Sequence, residues 1–132
     1  MNNSIVVVGG GPVGIIFALL TKSKISKILL LESNSEIQTH HDKRALALSN
    51  GTKFILEKID VWKDLEGMLT PIKEIHTSQK GTFGRALMEA EDYEQEALGY
   101  IISYGDLISV LQKKVSNSKN INALYQSELL SF

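Results

Sequence analysis

The chain has 132 residues, 43% of them hydrophobic and 22% charged, with a formal net charge of −1. That length is enough for one domain with a real core, and the charge offers no general pull toward nucleic acid or an anionic membrane. There is no cysteine, which excludes a disulfide framework, thiolate catalysis and a zinc–thiolate site.

The first elements set the fold class. Ile5-Val6-Val7-Val8 is an apolar β-branched run and predicts a strand. Gly9-Gly10-Gly11-Pro12-Val13-Gly14 predicts a tight turn that opens a helix, whose apolar pattern runs from Ile15 to Leu20. A second apolar run, Ile28 to Leu31, ends in Glu32. Strand, glycine turn, helix, strand and acid in this order are the layout of a dinucleotide-binding βαβ unit.

Each part has a physical reason. Gly9 and Gly11 leave the backbone bare where a pyrophosphate must come close, and Gly14 lets the helix lie near the strand. Pro12 stands near the first helical position, where its missing N–H costs nothing. The amides of the first turn, from Val13 onward, face the phosphates together with the positive end of the helix dipole. Lys22 and Lys24 suit the negative end. Glu32 follows Gly14 by 18 residues, where its carboxylate can accept from the hydroxyls of an adenosine ribose. The alternative is a tight βα turn that holds no ligand.

Ile5 to Thr21 carries no charge, so a signal peptide or membrane span must be weighed. Glycines and a proline interrupt the stretch, no basic residue precedes it, and its unbroken apolar part is too short to span. A cytoplasmic location is the default expectation.

Ser33 to Asp42 reads as a solvated polar loop. His40 and His41 are adjacent but have no third ligand nearby, which makes a poor metal site. Arg44 is a planar, permanently charged donor close in sequence to an anion-binding unit. It suits a phosphate oxygen or a ribose, and a plain surface arginine is the alternative. Ser49 or Asn50 caps a helix with Phe54, Ile55, Leu56 and Ile59 on its apolar face. Asp60 marks a break, as Asp tolerates the left-handed conformation at a helix end. A short amphipathic piece follows, with Trp62 in the core and Pro71 stopping it. Ile72 to Ser78 alternates as a strand, Gln79 to Gly84 connects a hairpin, and Arg85 to Glu89 is the return strand. Glu89 to Glu96 is an acidic segment whose spacing fits no calcium loop. Leu98 to Ile102 leads into a helix from about Asp106 to Val115, with Leu107, Val110, Leu111 and Val115 on one side. Ile121 to Tyr125 predicts a third strand beside the opening pair.

The stretches VVVGGGPVG, DKRALALSNGTKFILEKIDVWKDL, PIKEIHTSQKGTFGRALMEAEDY and ALGYIIS follow one another across nearly the whole chain. In that order and spacing the sequence resembles the ubiquinone-biosynthesis branch of the flavin-dependent aromatic hydroxylases. The first stretch is generic to flavin and nicotinamide proteins; the second and third are much more specific. The resemblance implies an α/β fold with a Rossmann-like, FAD-binding βαβ start and an inserted β-hairpin, part of a larger flavin hydroxylase fold. Residues 1–132 would be the N-terminal part of the FAD-binding domain, with about 72–100 starting the substrate-side sheet. By position, Gly9, Gly11, Pro12, Val13 and Gly14 would lie along the FAD pyrophosphate, Glu32 at the adenosine ribose, and Arg44, in a D-x-R element, against the cofactor.

Enzymes of this branch reduce FAD with NADPH and use O₂ to hydroxylate a polyprenylated phenol in ubiquinone biosynthesis. The resemblance implies no metal and no nucleic acid, and it allows a peripheral association with the inner membrane or with a biosynthetic complex. Such enzymes are much longer and carry a second flavin motif, built on Gly-Asp, further along. The chain therefore reads as a portion that is inactive alone and able to self-associate. After Ile102 the family often places an acid, amide or arginine near the cofactor. Here the run is Ser103-Tyr104-Gly105-Asp106, so that contact does not carry over, and no catalytic residue is assigned. Two other functions fit the glycine turn alone: another Rossmann flavin or nicotinamide oxidoreductase, or a non-catalytic dinucleotide-binding or interaction module.

Overall fold

The computed structural model of the chain describes residues 3–78, 80–81 and 84–131. In chain order its elements are β1 (Ser4–Val8), α1 (Pro12–Thr21), β2 (Lys27–Leu31), α2 (Glu36–His40), β3 (Ala45–Ser49), α3 (Asn50–Lys58), α4 (Trp62–Leu65), β4 (Thr70–Ile72), β5 (Glu74–Ser78), β6 (Arg85–Glu89), β7 (Gly99–Ser103), α5 (Tyr104–Ser116) and β8 (Ile121–Leu124). Short 3-10 turns lie at Glu66–Met68 and Glu91–Tyr93.

β1, β2 and β8 form a parallel sheet in the order β1-β2-β8, so the strand expected beside the opening pair is β8, on the free side of β2. Strand pairing sets which side chains meet. Val6 pairs with Leu29 and Val8 with Leu31, which faces Leu124 across β2 and β8. On the opposite face, Ile28 and Leu30 are fully buried and join Ile15, Ala18 and Leu19 of α1 and Leu107, Ile108, Leu111 and Val115 of α5 in one core. Each such isoleucine, leucine or valine side chain contributes about 1.5–3 kcal/mol of burial free energy. A second sheet, β3-β7-β4, is antiparallel, and Leu48, Tyr100 and Ile102 carry it into the same core. Trp62 is buried as expected and meets the Tyr100 ring edge-on at 4.9 Å.

The structure revises several expectations. The Ser33–Asp42 segment is not a simple solvated loop. Ser35 caps α2 by accepting from the Gln38 amide, and the helix packs on α5. There Gln112, a buried polar side chain, is satisfied by His40 and Thr39. His40 is thus a partner of a core glutamine, which no local pattern could reveal because Gln112 lies on α5. On α3 the expected apolar face splits. Leu56 and Ile59 are buried, whereas Phe54 is 57% exposed and carries the Lys58 ammonium over its ring. The Ile72–Ser78 strand is two elements. It breaks at Lys73, with β4 pairing β7 and β5 pairing β6. Pro71 sits inside β4 rather than ending a helix, and the helical piece has already closed at Leu69.

Other readings hold. Asp60 has φ +54°, the left-handed conformation expected at the end of α3. Ser49 caps α3 by accepting from the Thr52 amide. The β5–β6 hairpin forms with Ser78 opposite Arg85; Gln79, Thr82 and Phe83 of its connection lie outside the described residues.

The entrance of α5 is anchored on the 40–44 segment. The Tyr104 and Gly105 amides donate to the Arg44 and Asp42 carbonyls at 2.8 Å. A Cβ on Gly105 would overlap the His40 carbonyl oxygen and come within 3.0 Å of the Asp42 carbonyl oxygen. Alanine within a helix ordinarily gains about 1 kcal/mol over glycine. Here the sign reverses, because the atoms in the way are backbone. Gly105→Ala is expected to lower the unfolding free energy by about 1–3 kcal/mol, measured by urea denaturation. A stabilised variant would show that α5 does not seat on this segment.

Candidate functional site

The site is built at the end of the β1-β2-β8 sheet where β1 passes into α1. Gly9 has φ +104°, a conformation that side chains rarely adopt, and its amide donates to the Leu31 carbonyl at 2.8 Å. The chain then turns back so closely that a Cβ on Gly14 would overlap the Gly9 carbonyl oxygen. Gly14 is therefore required by the approach of the helix to its own turn. α1 starts at Pro12, with Gly11 in the capping position and no side chain bonded to its first-turn amides. An open groove runs along the turn past Val8, Val13 and Phe17. Together these features give what a pyrophosphate needs: bare backbone, a helix start with no side-chain cap among the described residues, and the positive end of a helix.

Glu32, at the end of β2, closes the turn from the side. Its Oε2 accepts from the Gly10 amide at 2.8 Å, and its Oε1 from the amide and side chain of Asn34 at 2.8 and 2.9 Å. The Ser33 hydroxyl adds a longer bond to Oε1 at 3.3 Å. Partial burial pushes the carboxyl upward, but the Asn34 and Gly10 amides, helped by the side chains of Asn34 and Ser33, outweigh it, and the net shift is below the ordinary value of 4.5. A carboxylate offers about four acceptor positions. Oε1 is filled, and Oε2 keeps one. Accepting both ribose hydroxyls requires two of the three donors on Oε1 to let go, which the Asn34 side chain and the Ser33 hydroxyl can do without moving the backbone.

Arg44, just before β3, lies at the entrance of α5, where its carbonyl accepts from the Tyr104 amide. Its guanidinium pairs with Asp42 through Nε, at 3.0 and 2.9 Å, and Nη2, at 2.6 Å. This pairing holds the Asp42 carboxyl below its ordinary range. The side chain remains 73% exposed and lies over the Tyr104 ring, 5.0 Å from its centroid. The far end of that ring reaches the turn: a Cβ on Gly11 would lie 3.7 Å from the Tyr104 hydroxyl. Gly9, Gly11, Pro12, Val13, Gly14, Glu32 and Arg44 thus border one end of the fold, with Tyr104 spanning Gly11 and Arg44. The sequence carries no cofactor contact onto Tyr104, because the run Ser103-Tyr104-Gly105-Asp106 departs from the acid, amide or arginine expected there, and its two partners lie far along the chain. Its one local signal is its position directly after Ser103, which caps α5. Among the described residues no group of three or more His, Cys, Asp or Glu side chains could hold a metal ion.

No family model matches the chain. An uncharacterized protein of Synechocystis sp. is 25% identical over 128 residues, covering 97% of this chain and 31% of that protein. Among solved structures, p-nitrophenol 4-monooxygenase PnpA from Pseudomonas putida DLL-E4 aligns with a TM-score of 0.72 at 22% identity, over 94% of this chain and 32% of that one. The flavin-dependent monooxygenase PieE, in complex with FAD and substrate, aligns with a TM-score of 0.71 at 19% identity, over 94% of this chain and 23% of that one. The fold is therefore the mixed α/β fold of the N-terminal region of FAD-dependent monooxygenases. The chain spans about a third or less of the length of the proteins it matches.

The Glu32 carboxyl gives a pH-dependent readout of the turn. With its folded value lowered, its contribution to stability is full above the ordinary carboxylate range and is lost as pH falls through the folded value. The unfolding free energy of the wild type is expected to drop more steeply than that of Glu32→Gln between about pH 6 and pH 3. Urea denaturation at each pH measures this, and parallel curves would mean that the bonds from Gly10 and Asn34 contribute nothing.

Proposed function

We propose that the chain is the N-terminal part of the FAD-binding domain of a flavin-dependent aromatic monooxygenase. The observation that carries this is the glycine turn of α1, closed by Glu32 and linked to Arg44 through the Tyr104 ring, in a fold shared with FAD-dependent monooxygenases. In this reading the backbone at Gly9, Gly11, Pro12, Val13 and Gly14 lies along the pyrophosphate. The first-turn amides donate to it, Glu32 holds the adenosine ribose, and Arg44 contacts the cofactor with its guanidinium kept in place by Asp42. When bound, the flavin supplies the redox chemistry that lets O₂ react with an electron-rich ring. The residues present bind and orient the nucleotide end of the group.

The finer reading is a hydroxylase of a polyprenylated phenol in ubiquinone biosynthesis, most like 2-octaprenyl-6-methoxyphenol hydroxylase, with NADPH as reductant. It rests on the four ordered stretches from VVVGGGPVG to ALGYIIS. Residues 72–100 then begin the substrate-side sheet. A prenylated substrate would bring the whole enzyme to a membrane surface as a peripheral protein. Among the described residues no helix is long and apolar enough to cross a membrane.

The open face of the parallel sheet supports the view that more structure belongs on it. Parallel sheets are normally covered on both faces. Here Val6, Val8 and Leu124 are 58%, 57% and 42% exposed, and among the described residues no strand pairs with the outer edge of β1. The 132-residue chain alone is therefore proposed to lack hydroxylase activity. The same face favours a second reading, a dinucleotide-binding module that associates through this surface.

Equilibrium dialysis tests the cofactor assignment. Because these residues would hold the nucleotide end, the chain is expected to bind FAD, with ADP displacing it and FMN failing to do so. Equal displacement by FMN, or no FAD bound, would overturn the reading. Adding NADPH, O₂ and a prenylated phenol to the FAD-loaded chain is expected to yield no hydroxylated product, and a robust yield would refute the claim that the piece is inactive.

A further inference from the structure

We infer that the end of the fold opposite the glycine turn is a docking surface for an anionic lipid bilayer, formed by Lys22, Lys24, Lys27, Lys113 and Lys119. The inference is independent of the nucleotide reading and of any prenylated substrate.

The balanced net charge conceals a segregation. Residues 22–27 (KSKISK) and 113–119 (KKVSNSK) hold six of the fourteen basic residues and none of the fifteen acids. The rest of the chain is therefore acidic, with eight basic residues against fifteen acids. The fold brings the two basic segments together from far apart in sequence. α1 packs on α5, and the two helices end at Thr21 and Ser116. Beyond those ends the Asn120 side chain donates to the Lys22 and Ile25 carbonyls at 2.7 and 2.8 Å. The Lys22 ammonium reaches the Ser118 hydroxyl at 3.5 Å. The Ile28 amide donates to the Asn120 carbonyl at 2.8 Å, which sets Lys27 next to the same turn. β1 and β2 run from this end toward the glycine turn and Glu32, so the two surfaces lie at opposite ends of the sheet.

Lys24, Lys27, Lys113 and Lys119 are exposed and Lys22 is half-buried. Among the described residues none of the five is within ion-pair distance of a carboxylate. Lys114 stands apart, donating to the Asp60 carbonyl at 3.1 Å. Helix dipoles account for part of the cluster, since Lys22 follows the last residue of α1 and Lys113 lies in the last turn of α5. Lys27 and Lys119 lie outside both helices and answer to no dipole. Like charges gathered without a counter-charge repel one another, and an anionic partner turns that cost into attraction.

The composition of the patch selects a bilayer over nucleic acid. It contains no arginine and no aromatic residue, the groups that fork onto phosphates and stack on bases. Lysine point charges suffice for an anionic bilayer, where each basic residue near the surface adds to the attraction. A chain docked by this end holds its nucleotide groove away from the lipid.

The test is co-sedimentation of the chain with vesicles of equal parts phosphatidylglycerol and phosphatidylcholine at low ionic strength. The wild type is expected to bind these, to ignore vesicles of phosphatidylcholine alone, and to be released by molar salt, which screens such attraction. Lys24→Glu with Lys119→Glu is expected to weaken binding about thirtyfold or more, with the melting temperature unchanged. Lys80→Glu with Arg85→Glu makes the same change in net charge on the exposed β5–β6 hairpin and is expected to leave binding as it was. Equal losses in the two double variants would show that net charge alone matters and would overturn the inference. So would a wild type that stays in solution, binding that survives molar salt, or equal binding to both kinds of vesicle, which would point to the open apolar face of the sheet. Retention of a mixed-sequence DNA duplex without vesicle binding would overturn it in favour of nucleic acid.

Discussion

The structure depends on a single steric constraint at the start of α1. The helix turns back onto the strand that feeds it so tightly that only glycine fits at position 14, against the Gly9 carbonyl. That approach fixes the direction of α1, presents its first-turn amides at the sheet end, and brings Gly10 within reach of Glu32. The same contact organises the core, because α1 then lies over Ile28 and Leu30 and meets α5. A side chain at Gly14 would therefore disturb the fold and the candidate site together, through one atom.

Much of this was legible in the sequence because the signals are local. Glycines at fixed offsets, a β-branched run before them and an acid after the next run define β1, α1 and β2 and the place of Glu32. Ser49 as a cap, Asp60 as a left-handed break and the spacing of Leu107, Leu111 and Val115 are local as well. What escaped depends on partners far along the chain. His40 looked like a loop residue because Gln112, which it satisfies, belongs to α5. Phe54 and Ile55 fit the helical spacing, but α3 packs on β3 and α4 with Leu56 and Ile59 inward. The break at Lys73 is invisible to alternation, since both halves alternate; it follows from β4 joining β7 and β5 joining β6. Tyr104 belongs with these, as its meaning lies between Gly11 and Arg44.

The electrostatics of the site follow from the same packing. Glu32 is held as a carboxylate by amides of Gly10 and Asn34, and Asp42 by Arg44, while Tyr104 lies between them and is kept neutral. The acid expected to serve only a ribose also ties down the turn. Ligand binding would then exchange the bonds of the Asn34 side chain and the Ser33 hydroxyl to Glu32 for bonds to the nucleotide, with the Asn34 backbone amide keeping its bond.

The central claim is that this turn and Glu32 hold the adenosine diphosphate end of FAD. A crystal structure of the chain with FAD tests it most directly. The account predicts the pyrophosphate along Gly9 to Gly14, ribose hydroxyls on Glu32, and Arg44 against the cofactor. A nucleotide bound elsewhere, or one that leaves Glu32 bonded only to Gly10, Asn34 and Ser33, would contradict it.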